Sequence, residues 1–413
     1  MTRRHLRFAA IAAALALSLS GCSSAGSSGT DADGNTTINW SVWAGSEVET
    51  AAWQKLADMV HEKDPTITVK LTTAAWPDYW TKLPTTLAGN DAPCIAGLQM
   101  ARVQQFANYF VPLGDQLDAA GIDTADFDPS IISALQAGGE QMAIPYDLGP
   151  YVVFYNKDAF AAAGLENPKD GWTLSEFETA AKALTKDGKY GFATTNQIDA
   201  MNQWGPTIGG DQAATEDGKL NLTSAGQEKT MAWYSSLVNE QGVAAQLATD
   251  SSDGSQFLAG NAAMYVTGPW DMINAKDQAK FDVGIVTVPT GDEGAATAIG
   301  GSGFGITTKC STPEVAAKAL AIITGTDAQA YLGTEGRAFP ARTSEQSTWY
   351  SAAVDGAQST LEASLKTGVP YLSTPTWTQD GLSFSQGSIS VINGQTDPKS
   401  FLESVESGSG SAG

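Results

Sequence analysis

Thr37-Ile38-Asn39-Trp40-Ser41-Val42-Trp43-Ala44-Gly45-Ser46-Glu47-Val48-Glu49 passes from a β-rich run straight into a helix start. Thr37 to Val42 is dense in β-branched and aromatic residues, which suit a pleated, half-buried strand. Ser46-Glu47-Val48-Glu49 is a capping-box sequence. Ala52, Leu56, Met59 and Val60 then recur on one helical face. The stretch is a β-loop-α unit, with Trp43 directly after the strand and just before the capped helix. In open α/β sheets ligands sit beyond the carboxyl ends of strands, where helix N-termini also point, so Trp43 occupies a ligand-facing place.

The same alternation continues along the chain. Ile67, Val69 and Leu71 mark a second strand and Cys94 to Leu98 a third; further strands fall at Tyr151 to Tyr155, Ala262 to Val266, Val283 to Val288 and Gly303 to Thr307. Thr173 with Glu176 caps a helix carrying Leu174, Phe177, Ala181 and Leu184. Thr312-Pro313-Glu314 opens another, with proline at the first helical position. Strands alternating with helices predict α/β architecture with mostly parallel sheets. Pro84 is expected to interrupt the helix that begins near Tyr79. The chain has 413 residues, more than one compact core usually holds, and its length suggests two domains.

The N-terminus reads as an export signal. Arg3, Arg4 and Arg7 precede an apolar run from Phe8 to Leu19, and Leu19-Ser20-Gly21-Cys22 has the form of a lipoprotein cleavage site. A run of about a dozen residues is too short for a permanent span, which needs about 20. Residues 1–21 are therefore expected to be removed and Cys22 to carry lipid, placing the protein on the outer face of the cell membrane. Residues 22–36 are expected to form a flexible tether, since Ser, Gly, Ala, Thr and Asp bury too little apolar area to fold. Asp31-Ala32-Asp33-Gly34-Asn35 has part of the form of a calcium loop, but Val42 stands where the twelfth-position glutamate would be needed. Residues 406–413 are read as a flexible tail.

Charge and histidine content exclude several function classes. The formal net charge of −22 becomes −25 once residues 1–21 leave, because three arginines and no acid go with them. Such a surface repels phosphate backbones, so nucleic acid is not an expected partner. His61 is the one histidine beyond the signal, inside a helical run at a surface position. Histidine-based hydrolytic triads and histidine-rich zinc sites cannot be assembled. No metal and no cofactor is expected. Cys94 and Cys310 are an even pair in an oxidising compartment, either a structural disulfide or two buried thiols.

Eleven tryptophans are many for this length. Trp43, Trp76, Trp204, Trp270 and Trp377 fall in loops flanked by Asp, Asn, Gln and Gly; Trp40, Trp53, Trp172 and Trp233 fall within strands or helices and read as core. A flat apolar ring matches the C–H face of a pyranose while its edge tolerates water, so loop tryptophans among polar residues suit a carbohydrate cleft. Each alone has the alternative of packing beneath its own loop.

Two stretches carry a resemblance. One is Ile144-Pro145-Tyr146-Asp147-Leu148-Gly149-Pro150-Tyr151-Val152-Val153-Phe154-Tyr155-Asn156-Lys157-Asp158. The other is Phe257-Leu258-Ala259-Gly260-Asn261-Ala262-Ala263-Met264 with Gly268-Pro269-Trp270-Asp271. Together with Thr86-Leu87-Ala88-Gly89-Asn90-Asp91-Ala92-Pro93, Gly300-Gly301-Ser302 and Gly336-Arg337-Ala338-Phe339-Pro340-Ala341-Arg342, they resemble the extracellular solute-binding proteins of ABC importers. The resemblance is to the carbohydrate-binding family that includes maltodextrin-binding proteins, and it extends over most of residues 37 to 405. It departs from the family pattern at Pro93-Cys94, where members commonly carry aspartate after the proline.

The resemblance implies two α/β lobes of the type II periplasmic-binding-protein kind, each a mostly parallel sheet flanked by helices, with the ligand cleft between them. Lobe 1 would be residues 37–148 plus 302–343, and lobe 2 residues 149–301 plus 344–405. Carried over by position, Trp43, Glu47 and Gln99 would face the cleft from the first lobe. Tyr155, Trp204, Trp270 and Asp271 would face it from the second, with Gly301 at a crossing and Arg337 and Trp377 nearby. Glu47 has the alternative of a helix-start acid and Asp271 that of a cap. The implied function is a monomeric, non-enzymatic sugar receptor that delivers its ligand to membrane permease subunits. The competing readings are a surface glycoside hydrolase or lyase, which needs two carboxylates at a defined separation, and a binding protein for a peptide or polyamine.

Overall fold

A computed structural model describes residues 29–249 and 252–409. The signal segment and Cys22 lie outside the described residues. The first strand pair is β1 (Gly29–Thr30) with β2 (Thr36–Trp43), antiparallel. The expected tether is thus ordered from Gly29 on: the Asp31 carboxylate accepts from the backbone N–H groups of Asp33 and Asn35 at 3.0 and 2.8 Å, closing an Asx-type turn.

From β2 the chain enters α1 (Glu47–Lys63), β3 (Ile67–Ala74) and α2 (Trp76–Ala88). The last of these runs through Pro84 without a break. It is followed by β4 (Ile95–Gln99), β5 (Ile144–Pro150) and β6 (Val152–Asn156). After α3 (Leu174–Leu184), whose Thr173–Glu176 capping box forms in both directions, and α4 (Asp199–Ile208) come β7 (Met264–Thr267), α5 (Met272–Gln278) and β8 (Val283–Thr287). The chain closes with β9 (Thr297–Ile306), α6 (Pro313–Ile323), β10 (Gly368–Pro370), α7 (Trp377–Ile392) and α8 (Pro398–Ser409). Residues 406–409, expected in the tail, continue α8, and Ser409 donates to Asp380 at 2.7 Å.

The larger sheet runs β1-β2-β4-β9-β10, with β3 beside β2 and β5 beside β9. The pairs β2–β3, β2–β4 and β9–β10 are parallel, as expected. The pairs β4–β9 and β5–β9 are antiparallel, and the smaller sheet, β8-β6-β7, is antiparallel throughout. The expectation of mostly parallel sheets therefore fails for both sheets: three of the six strand pairs in the larger sheet are parallel and none in the smaller. The alternation of elements gives their order but not which strand lies beside which, and the return of β9 alongside β5 sets the opposite direction.

Two cores result. The first holds Trp40, Trp53, Leu56, Tyr146 and Phe304; the second holds Phe177, Trp204, Tyr234, Trp377 and Phe384. Strand β6 serves both, with Val152 and Phe154 on the first side and Val153 and Tyr155 on the second. Trp349, Ala357 and Leu361 pack in the first core, although the sequence reading gives residues 344–405 to the second lobe. Cys94 and Cys310 are disulfide-bonded, closing a separation of 216 residues beside the β4–β9 ladder.

Candidate ligand-binding cleft

A cleft of about 460 Å3 opens at the crossing of β5 and β9, lined from both cores. On the first side Trp43 ends β2, and its ring lies over Gly97 in β4: a Cβ there would stand 2.8 Å from Trp43 Cζ3. Trp76 meets Trp43 edge-on at 5.1 Å between centroids. Beneath them the Arg102 guanidinium stacks on Trp80 at 4.4 Å and donates through Nη1 to Gln99 Oε1, fixing the orientation of the Gln99 amide on the cleft wall.

Glu49 departs from its local sequence role. Ser46 Oγ accepts the Glu49 backbone N–H at 3.2 Å, as a capping box predicts. The Glu49 carboxylate, however, accepts from the N–H of Gly45 at 3.3 Å and from Asn274 Nδ2 at 2.6 Å, and lies 3.5 Å from Arg337 Nε. Asn274 also donates to Asp271 Oδ1 at 2.6 Å and accepts from Ser46 Oγ at 2.8 Å. Tyr265 donates to the other Asp271 oxygen. This network joins the start of α1 to the start of α5 across one end of the cleft. Arg337, 2% exposed, packs over Trp53 at 4.5 Å.

On the second side Trp270 sits in a short turn, Pro269–Asp271, that presses on the crossing strands. A Cβ at Gly149 would stand 2.4 Å from Pro269 Cγ, so only glycine lets the turn seat. Tyr151 meets the Trp270 ring edge-on at 5.5 Å. Asn196, Asp199 and Gln203 add polar groups from the α4 side.

The electrostatics are dominated by buried acid. Desolvation pushes the Asp147 carboxyl up to about 7, against the attraction of Arg337 and hydrogen bonding from Ser302. Asp147 Oδ1 has no hydrogen-bond partner. Desolvation and the neighbouring charges of Asp271 and Asp199 raise Asp253 to about 6, and desolvation raises Asp271 as well.

Trp43, Gln99, Trp270, Asp271, Gly301 and Arg337 are thus brought together on the cleft wall. Four other expected residues lie elsewhere. Glu47 is exposed on the first turn of α1, two residues from the acid that does enter the cleft. Tyr155 lies flat against Gly284 in the opposing strand and edge-on to Phe160 at 5.4 Å, in the second core. Trp204 is fully buried beside Trp233, Phe177 and Phe192. Its neighbour Gln203 takes the cleft face, because one residue along a helix rotates the side chain by about 100°. Trp377 is fully buried against Tyr371 at 5.8 Å. The residues missed include Glu49, Tyr146, Asp147, Tyr151, Asn196, Asp199, Gln203, Asp253 and Asn274. Three of these, Tyr146, Asp147 and Tyr151, stand inside the Ile144–Asp158 stretch singled out above. Asn274 gave no sequence signal.

Comparison with known proteins agrees with this architecture. The family model described as bacterial extracellular solute-binding protein matches residues 41–378. The chain belongs to that family. A putative binding protein of Brucella abortus is 23% identical over 191 residues, and the match spans only 44% of each of the two chains. The maltodextrin-binding protein MdxE of Bacillus subtilis is 26% identical over 337 residues, covering 78% of this chain and 77% of the relative. Among solved structures, the ABC substrate-binding protein Lmo0181 of Listeria monocytogenes, in complex with cycloalternan, superposes with a TM-score of 0.83 at 22% identity, over 90% of this chain and 97% of that one. The fold is the two-lobed solute-binding fold.

Proposed function

We propose that this protein is an extracellular sugar receptor of an ABC importer, which captures a mono- or oligosaccharide between its lobes and passes it to a membrane permease. One observation carries the reading: aromatic rings from both sides, Trp43 and Trp76 against Trp270 and Tyr151, flank a strip of carboxylates and amides in one cleft. Rings offer stacking area to C–H faces, and the carboxylates and amides accept and donate to pairs of hydroxyls. The volume lies within the range of small-molecule sites, about 300–1,000 Å3. The maltodextrin-binding relative and the cycloalternan-bound neighbour support a saccharide ligand.

In this reading Cys22 carries the lipid that holds the protein on the outer face of the membrane, the receptor acts as a monomer, and no catalysis occurs. Lobe closure is a hinge motion stabilised by contacts that the ligand makes with both lobes. The segments 37–148 plus 302–343 and 149–301 plus 344–405 are the proposed lobes, with Trp349 to Leu361 packing back on the first. Titration of the soluble chain from Thr36 with a saccharide panel, read by tryptophan fluorescence and calorimetry with product analysis, tests the proposal. Saturable binding with the sugar recovered intact supports it; cleaved sugar supports the glycosidase reading, and a ligand found only among peptides or polyamines overturns it.

A further inference from the structure

We infer that the preferred ligand is a saccharide bearing at least one protonated amine, an amino sugar rather than a neutral or N-acylated one. The inference rests on the reading of the cleft as a saccharide site and concerns the charge of that saccharide. Five carboxylates line the cleft, from Glu49, Asp147, Asp199, Asp253 and Asp271, against the single cationic side chain of Arg337. Arg337 lies 3.5 Å from Glu49 and acts on Asp147 and Asp271 as well, and Arg102 behind the wall acts on Asp199, so two guanidiniums face five carboxylates and negative charge remains in excess.

A second observation points the same way. Asp147 is 4% exposed, and its Oδ1 lacks a hydrogen-bond partner on the wall of the cleft. An unpaired buried acceptor is costly, and a charged N–H donor relieves that cost more than a hydroxyl does. Among the described residues no three His, Cys, Asp or Glu converge closely enough to hold a metal ion. The acids share the cleft wall with the rings of Trp43, Trp76, Tyr151 and Trp270, which suits a cation that also carries C–H faces.

The raised pKa values of Asp147 and Asp253 add a signature of such binding. Asp147 faces Arg337, Tyr146 and Ser302, and Asp253 faces Asp271, Asp199 and the Gly254 N–H. A cation placed among these groups favours their ionised forms and releases protons between about pH 6 and 7.

The test is calorimetry of the soluble chain with glucosamine oligosaccharides, their N-acetylated counterparts and malto-oligosaccharides of matched length, in buffers of different ionisation heat. The expected result is affinity at least 30-fold higher for the amine-bearing series, with proton release at pH 6.5, and a preference reduced at least tenfold in Asp147→Asn and in Asp271→Asn. Equal or tighter binding of the N-acetylated or neutral series overturns the inference and leaves the sugar-receptor reading standing. Binding of spermidine with no saccharide bound, or no binding by any of these, overturns both.

Discussion

Asp147→Asn should flatten the pH dependence of stability while weakening ligand binding. The Asp147 carboxyl is 4% exposed, and its desolvation outweighs the Arg337 charge and the Ser302 hydrogen bonds, lifting its pKa to about 7. In the unfolded chain an aspartate titrates near 4. Between those values the folded protein holds a proton that the unfolded chain has lost. The stability from this group is therefore complete below about pH 4 and disappears as pH rises through about 7. A displacement of roughly three pH units corresponds to about 4 kcal/mol. Asparagine has nearly the same shape and cannot ionise, and Arg337 keeps Glu49 as its partner. Urea unfolding of both proteins from pH 4.5 to 8.5 gives the difference directly. Asp253 and Asp271 titrate in both proteins and largely cancel. Wild-type stability relative to the variant should fall by about 3 kcal/mol across this range, mostly between pH 5 and 7. Parallel curves, within about 1 kcal/mol throughout, would refute the claim that this carboxyl is held desolvated in the cleft.

The two kinds of tryptophan should separate in a paired experiment. Trp270→Ala is expected to weaken saccharide binding about 30-fold with little change in unfolding midpoint, whereas Trp204→Ala should cost about 3–5 kcal/mol of stability and leave the affinity of the folded protein nearly unchanged. The reverse pattern in calorimetry and urea melts would return Trp204 to the cleft. Gly97→Ala places a methyl 2.8 Å from the Trp43 ring and should lower stability by about 1–3 kcal/mol while shifting the tryptophan emission and weakening the ligand; unchanged affinity would show that Trp43 does not touch it. Replacing Cys94 and Cys310 by serine opens a loop of 216 residues and should cost on the order of 5 kcal/mol in the chain-entropy account, read as a lower urea midpoint that matches the reduced wild type. Identical midpoints for the oxidised and reduced wild type would dismiss that contribution.

The local order of strands and helices, the caps at Ser46 and Thr173, the proline-led start of α6 and the place of Trp43 at the carboxyl end of a strand were legible in the sequence. Each depends on neighbours within a few residues, through side-chain periodicity and cap chemistry. Chain order and spacing also carried the resemblance that gave two lobes and a cleft, and placed Gln99, Trp270, Gly301 and Arg337 at its wall. Tertiary structure decided what a single helical or strand step leaves open. Glu47 and Glu49 differ by about 200° around α1, and only the position of Asn274 and Arg337 shows that the second enters the cleft. Trp204 and Gln203 differ by about 100° in the same way. Strand direction in the second sheet, the pairing of β9 with both β4 and β5, and the meeting of Cys94 with Cys310 are contacts between residues far apart in the chain. No local pattern encodes them; they are set by which apolar faces can be buried together.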